Sequence, residues 1–290
     1  KLDLLRAVGV DRVSIGVQSF LDAEVEAVHR DQRAAQVHQT LDLIRARRFP
    51  TLNIDLMYGL PGQTPETWDR SLREALRHHP EELYLYPLYV RPLTRLGLSD
   101  AEWDDLRLQL YRQGRDFLLD NGYKQVSMRM FRRAGAPGVE GPVYCCQEDG
   151  MVGLGCGARS YTKSLHYSSA YAVGPMQVKA IIRDWLLTSD EDFGRASWGF
   201  ALDEGERRRR DLILSLLSDE GLEEARYVGR FGAAPAADFP ALGALEAEGL
   251  AARAQGRWRL TAAGLERSDA IGPWLFSPAV RALVEGYDRR

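Results

Sequence analysis

Cysteine is scarce in this 290-residue chain: only Cys145, Cys146 and Cys156 occur, and two of them are adjacent. An odd count with an adjacent pair makes no disulfide framework, so the chain reads as a protein of a reducing cytoplasm. Lysine is scarcer still for its class, because only Lys1, Lys124, Lys163 and Lys179 stand among 38 basic residues. That arginine bias, with the many alanines, reads as genome composition rather than chemistry. An excess of positive charge is also lacking: the net charge is −3, which gives no basic surface for nucleic acid. No apolar run approaches the roughly 18 residues that span a bilayer. Nor is there a signal peptide, since the chain opens on KLDLLRAVGV, a charged helical stretch without a start Met. A chain that opens inside a helix is expected to continue upstream.

What is present is ordinary for a globular protein: 45% hydrophobic and 27% charged residues. The length suits one large domain and a small one. Leu2–Val8 has helical spacing closed by Gly9. Arg12–Val17 (RVSIGV) then alternates with β-branched residues, as a half-buried strand does. Helices are expected over Asp22–His29 and Ala34–Arg47, then a strand over Thr51–Tyr58 (TLNIDLMY). Thr64 and Pro65 start the next helix as N-cap and first residue, and Glu82–Leu88 is a further strand. Three strand–loop–helix units of about 35 residues imply a parallel sheet with right-handed crossovers. They fit half of a (β/α) barrel. Glu102–Asn121 reads as a helix, Tyr123–Met128 as another strand, and Val178–Leu187 as a helix after a Gly-dense segment.

Beyond about Ala201 the character changes: helices over Glu206–Leu217 and Asp238–Glu248 precede short strands at Leu250–Arg253 and Trp258–Leu260. The expected fold is therefore α/β: a partial barrel over residues 1–195, then a small helical, winged-helix-like domain over residues 196–290. The presumptive recognition helix, DFPALGALEAE, has no basic bias, so a structural or lid role fits it better than DNA binding.

Functional side chains of a parallel barrel gather where strands end and βα loops begin. Gln18 follows RVSIGV and Asp55 lies on TLNIDLMY, so both are placed to face one cavity, and Arg30 follows twelve residues after Gln18. An amide, a guanidinium fork and a carboxylate suit a zwitterionic ligand that also carries ribose hydroxyls. Taken singly, each has a plainer reading: Gln18 as a helix cap, Arg30 as a surface charge, Asp55 as half of a salt bridge. His29 and His166 lack metal-ligand spacing, and Tyr84, Tyr86 and Tyr89 form an aromatic strand that packs, with at most one ring facing substrate.

The strings VSIGVQSF, Arg30 and NIDLMYGLPGQT, with the later MVGLGCGARSYT, resemble the oxygen-independent coproporphyrinogen III oxidase-like branch of the radical S-adenosylmethionine (SAM) superfamily. The resemblance extends to RRRRDLILSLLSDEGLE, similar to the start of that family's C-terminal domain. It implies that Gln18, Arg30 and Asp55 contact SAM, that Tyr89 adds a backbone contact, and that Gly155, Gly157, Ala158 and Arg159 line the cofactor cavity. It also implies a [4Fe–4S] cluster held by thiolates. The family's C-x3-C-x2-C motif is absent, and Cys145, Cys146 and Cys156 lack its spacing. The cluster cysteines and the family's Gly-Gly motif are therefore expected upstream of Lys1. No metal ligand is assigned within the chain.

SMRMFRR puts Arg129 and Met130 where the true oxidases resemble M-D-H-F-A-R, which opens the question of substrate. The implied activity is an oxidation begun by a 5′-deoxyadenosyl radical, on a small molecule such as a tetrapyrrole, with electrons from a reductase or flavodoxin-type donor. Two alternatives stand beside it: a methyltransferase of the same branch that uses two SAM molecules, and a haem-binding chaperone. Cys145 and Cys146 are candidate catalytic thiols, as hydrogen-atom donors or in methyl transfer; the plainer reading is small core residues.

Overall fold

The computed structural model describes residues 1–89, 106–136 and 150–286, apart from 171, 173 and 197. These fall into two compact units, residues 1–89 with 106–136 and residues 150–286.

The first unit opens with α1 (Leu2–Ala7) and β1 (Arg12–Gln18), followed by α2 (Asp22–Ala27) and α3 (Ala34–Ala46). Then come β2 (Thr51–Tyr58), α4 (Pro65–Leu76), β3 (Glu82–Pro87), α5 (Arg107–Asp120), β4 (Tyr123–Gln125) and β5 (Met130–Arg133). Helix α4 starts where its cap chemistry dictates. Thr64 Oγ1 accepts from the Thr67 amide at 3.3 Å, Thr67 Oγ1 accepts from the Thr64 amide at 2.9 Å, and Pro65 needs no partner for an absent N–H.

The sheet order is β1-β2-β3-β5-β4. β1, β2 and β3 are mutually parallel, while β5 runs antiparallel to both β3 and β4. The single strand expected over Tyr123–Met128 is thus the first arm of a hairpin. β4 does keep the direction of β3, but the returning β5 is inserted between them. A turn at Ser127–Arg129 makes this possible, with the Met130 amide donating to Ser127 Oγ at 3.1 Å and the Val126 amide to the Met130 carbonyl at 2.8 Å. The result is an open, mixed sheet.

Side-chain alternation gives this sheet two different faces. Leu52, Ile54, Leu56 and Tyr58 of β2, Leu83 and Leu85 of β3, and Phe131 of β5 point to the helices. There they close a core with Leu41 and Ile44 of α3, Trp68 and Leu72 of α4, and Leu110 and Leu118 of α5. The opposite face carries Arg12, Ser14, Gly16, Asn53, Asp55, Glu82, Tyr84 and Tyr86. One face folds the unit; the other is a polar floor.

The second unit contains a three-stranded antiparallel sheet of β6 (Ser160–Tyr161), β7 (Leu165–Ser168) and β8 (Trp198–Ala201), with α6 (Pro175–Leu187) and α7 (Asp190–Phe193) between the last two strands. The boundary expected at residue 195 falls inside this sheet. There follow α8 (Glu204–Leu216), β9 (Leu222–Glu223), α9 (Glu224–Phe231), α10 (Pro235–Asp238), α11 (Ala241–Ala247), β10 (Ala251–Ala254) and β11 (Arg257–Leu260). The chain then runs through α12 (Ala262–Leu265), α13 (Ser268–Trp274) and α14 (Pro278–Glu285).

The helix expected over 238–248 is broken at Phe239–Pro240, where proline has no N–H to continue the ladder. Gln255 and Gly256, with φ of +52° and +70°, make the two-residue turn that joins β10 to β11. Leu212, Leu216, Tyr227, Leu242, Leu245 and Trp258 form its separate core. The arrangement of α8, α9, α11 and the β10–β11 wing is winged-helix-like, and the Thr261 cap is real but introduces three helices rather than one. No helix among the described residues is long and apolar enough to cross a membrane.

Candidate functional site

Three polar groups converge around Gly16 at the carboxyl end of β1. The β1–β2 register shifts between Gly16, which pairs with Asp55, and Gln18, which pairs with Leu56. This bulge re-aims the chain at the strand end. Gln18 adopts φ +68°, a left-handed conformation uncommon outside glycine. Its side chain folds back so that Nε2 lies 2.7 Å from where a Cβ on Gly16 would stand, with Arg30 Nη1 3.9 Å from the same point. Asp55 is beside Gly16 on the neighbouring strand and on the same face.

Each of the three has hydrogen-bonding capacity that the protein leaves unused. Gln18 is only 6% exposed, yet its amide makes no hydrogen bond among the described residues. Arg30 is exposed and has no ion pair among them. Asp55 accepts from Asn53 Nδ2 at 2.6 Å through Oδ1, and no side chain reaches its other oxygen among them. Among the described residues two of the plainer readings fail, since Gln18 caps no helix and Asp55 is in no salt bridge, while Arg30 is exposed as a surface charge would be. Donors and acceptors that the protein leaves open, gathered around a missing side chain, offer a place for a ligand.

The loop that presents Gln18 is fixed by a buried network. Ser19 Oγ donates to Glu24 Oε2 at 2.6 Å and lies 3.1 Å from Ser71 Oγ, which accepts from the Phe20 amide at 3.2 Å. Gln63 Nε2 donates to the same Glu24 oxygen at 3.1 Å, and Gln63 Oε1 accepts from the Gly59 amide at 2.7 Å. The loops after β1 and β2 are therefore stapled through one carboxylate. Gln32 Nε2 adds a bond to the Val17 carbonyl at 2.6 Å. Such support holds the strained Gln18 backbone in place.

The floor around Asp55 is cationic and aromatic. Arg12 Nε pairs with Glu82 at 2.7 Å and its guanidinium lies 5.9 Å from the Tyr84 ring, which stacks on Tyr86 at 5.8 Å and 16°. Burial pushes Asp55 above the ordinary carboxylate range, while the Asn53 hydrogen bond and Arg12 pull it back. Burial raises the Tyr84 hydroxyl to about 12, so it stays protonated at neutral pH. Tyr89 is half exposed; its hydroxyl accepts from Arg129 Nη2 at 2.8 Å, and the guanidinium lies over the Tyr86 and Tyr89 rings.

Gly155, Gly157, Ala158 and Arg159 belong to the second unit, in a loop closed by the Met151–Tyr161 bridge. Gly155 and Gly157 have φ of +107° and +79°. The Gly157 amide donates to Ser169 Oγ at 2.9 Å and the Gly153 amide to the buried Ser160 Oγ at 3.0 Å. Gly153 is the tightest point: a Cβ there would lie 2.5 Å from the Arg159 carbonyl oxygen. Gly153→Ala is expected to lower the unfolding free energy by about 1–3 kcal/mol, read by urea denaturation. A neutral result would show that the loop opens at no cost. Arg159 is exposed; burial above all, then the charges of Arg210 and Arg159, holds His166 down to about 4. Cys145 and Cys146 lie outside the described residues, and Cys156 is a free thiol. Among the described residues no group of His, Cys, Asp and Glu could hold a metal ion.

Residues 1–75 match the model of the Radical SAM superfamily and residues 202–266 that of the HemN C-terminal domain. The chain thus carries a Radical SAM segment and a HemN C-terminal segment. It is similar to an oxygen-independent coproporphyrinogen III oxidase of Cereibacter sphaeroides, 27% identical over 302 residues that cover 94% of this chain and 65% of the relative. It is also similar to the heme chaperone HemW of Bacillus subtilis, 28% identical over 251 residues covering 83% and 63% respectively. The solved coproporphyrinogen III oxidase HemN of Escherichia coli shares its fold, with a TM-score of 0.73 at 24% identity over 94% of this chain and 66% of that one. This HemN-like chain spans 37% to 65% of the length of the curated relatives compared.

The family's cofactors are SAM and a [4Fe–4S] cluster. The unused amide, guanidinium and carboxylate around Gly16 fit the first of these. Gly16, Gly153 and Asn53 went unremarked as site residues in the sequence. The signals were there, because Gly16 sits in VSIGVQSF and Asn53 directly precedes Ile54 and Asp55.

Proposed function

We propose that the protein carrying this chain is a radical SAM oxidoreductase related to anaerobic coproporphyrinogen oxidation, in which Gln18, Arg30 and Asp55 hold SAM. The observation that carries this reading is the set of three polar groups left with unused hydrogen-bonding capacity around Gly16. Arg30 would pair with the cofactor's carboxylate, Asp55 would accept from its hydroxyl or ammonium groups, and the Gln18 amide would serve either. Gly155, Gly157, Ala158 and Arg159 would line the cofactor cavity, and the backbone of Tyr89 would add a contact. When bound and reductively cleaved, SAM supplies hydrogen-atom abstraction, and none of these residues acts as an acid or base in it. The protein's part is to orient partners and exclude competing reactions.

The substrate class is a small molecule of tetrapyrrole type, and the electron donor a reductase or flavodoxin-type protein of the cytoplasm. Arg129, braced between Tyr86 and Tyr89, would by the resemblance of SMRMFRR stand where the oxidases carry an acidic residue, which would separate this site from theirs. Residues 1–195 would serve as the barrel portion and residues 196–290 as the HemN-like C-terminal domain.

A haem-binding chaperone is the second reading, favoured by the likeness to HemW over 83% of this chain. One experiment separates them. The intact protein, purified without oxygen, reconstituted with iron and sulfide and reduced, is expected to release 5′-deoxyadenosine from SAM. Release of S-adenosylhomocysteine would indicate a methyltransferase instead. No cleavage, with stoichiometric haem binding by absorbance titration, would make it a chaperone.

A further inference from the structure

Asp55 does not stand alone on its strand. Two residues earlier on the same face, Asn53 is 1% exposed and its Nδ2 donates to Asp55 Oδ1 at 2.6 Å and to Ser14 Oγ on β1. The register explains the geometry: Ser14 is the direct partner of Asn53, and Gly16 that of Asp55. Asn53 Oδ1 is buried without a partner, which is a cost the fold accepts. Turning the amide over would give Oδ1 the Ser14 hydroxyl as a donor, but would aim an acceptor at the Asp55 carboxylate. The observed orientation lets Asp55 accept through Oδ1 and favours its ionised form over the protonated one.

We infer that Asn53 is a positioning residue for Asp55: anchored on Ser14, it occupies Oδ1, favours the ionised carboxylate, and leaves Oδ2 directed to the ligand. This rests on the reading that Asp55 contacts SAM. Asp55 needs such support because of what surrounds it. From β1 it faces Arg12, whose charge is largely committed to Glu82, and from β3 it faces the neutral hydroxyls of Tyr84 and Tyr86. Burial raises its pKa, and the Asn53 bond is the largest influence that lowers it. Without Asn53 the carboxyl would stay protonated to higher pH and would rotate freely about its own bond. Either change removes an acceptor from the ligand.

The test is binding rather than turnover. S-adenosylhomocysteine, which cannot be reductively cleaved, is titrated calorimetrically into the intact protein between pH 4.5 and 8. In the wild type, affinity falls below the pH at which Asp55 takes up its proton. Asn53→Ala is expected to weaken binding about tenfold at pH 7 and to move that acid limb to higher pH. Asn53→Asp, which sets a second carboxylate against the first, moves it further. Ser14→Ala, at an exposed position, keeps the fold and produces a smaller shift in the same direction, so it serves if Asn53→Ala fails to fold. Asp55→Asn removes the limb. If Asp55→Asn leaves affinity and pH profile unchanged, the cofactor reading of Asp55 is wrong. If Asp55→Asn weakens binding while the folded Asn53 and Ser14 variants keep the wild-type limb, Asn53 is structural only and the inference falls.

Discussion

Arg30→Ala is expected to weaken SAM binding by the intact protein about tenfold to a hundredfold, and to leave its thermal stability unchanged. Both halves follow from the same fact. Arg30 is exposed and has no ion pair among the described residues, so the fold loses nothing when it is removed. A bound carboxylate, in contrast, would engage it through a charge-assisted pair that water and salt only partly screen.

Arg45 is the built-in contrast. Its Nη1 donates to both oxygens of buried Glu81, at 3.0 and 3.2 Å, and its Nε to the His78 carbonyl at 2.7 Å. Glu81 also accepts from Arg133 at 2.9 Å and from the Leu52 amide at 2.8 Å, so α3, β2, β5 and the turn before β3 meet on one carboxylate. Arg45→Ala should therefore cost about 1.5–3 kcal/mol of stability without altering affinity for the cofactor. Calorimetric titration and thermal melts on the two variants check the pair. If Arg30→Ala loses stability and keeps its affinity, Arg30 is a structural charge and the site around Gly16 has been misread.

The regular part of this fold was open to sequence reasoning because its signals are local. RVSIGV and TLNIDLMY show their strands by β-branched alternation, and Thr64-Pro65 shows a helix start by cap chemistry. Gln18, Arg30 and Asp55 stood out because strand ends and the motif strings point to the same three positions, which the structure gathers around Gly16. What stayed hidden depends on contacts distant in sequence. Only Ser127 hints at a turn in Val126–Met128: no Gly, Pro or Asn stands there, and buried Met128 continues the apolar alternation, so the β4–β5 hairpin reads as one strand.

The network from Ser19 through Glu24 to Gln63 and Ser71 is invisible for the same reason, its members being spread over 52 residues. A lone Glu24 in a helical pattern looks like surface charge until the loop from β2 closes over it. Helix α9 was missed because EARYVGRF is short and carries a glycine. The role of Asn53 needed the register between β1 and β2, which one strand cannot reveal.

Trp68→Ala should be among the most destabilising single changes in the first unit, costing about 4–6 kcal/mol, a large part of the 5–15 kcal/mol typical of a folded domain. The Trp68 side chain is fully buried beneath β2 and β3, and its Nε1 donates to the Leu110 carbonyl of α5 at 2.9 Å. Removal opens a cavity between α4, α5 and the sheet and leaves the Leu110 carbonyl without that donor. The neighbour that allows so large a ring here is Gly114 of α5. A Cβ on it would lie 3.0 Å from Trp68 Cζ2, from Trp68 Nε1 and from Leu85 Cδ1.

Gly114→Ala alone is thus an overpacking change, despite the better helix propensity of alanine. Trp68→Phe alone loses the hydrogen bond and part of the volume. Combined, the two compensate, because the added methyl enters space that the indole vacates. The double variant should then be more stable than the sum of the single losses predicts, by about 1 kcal/mol or more. Urea denaturation followed by circular dichroism measures all four proteins of the cycle. Strict additivity would mean that α5 shifts away from the sheet in Gly114→Ala, and that the indole and the glycine are not a packed pair.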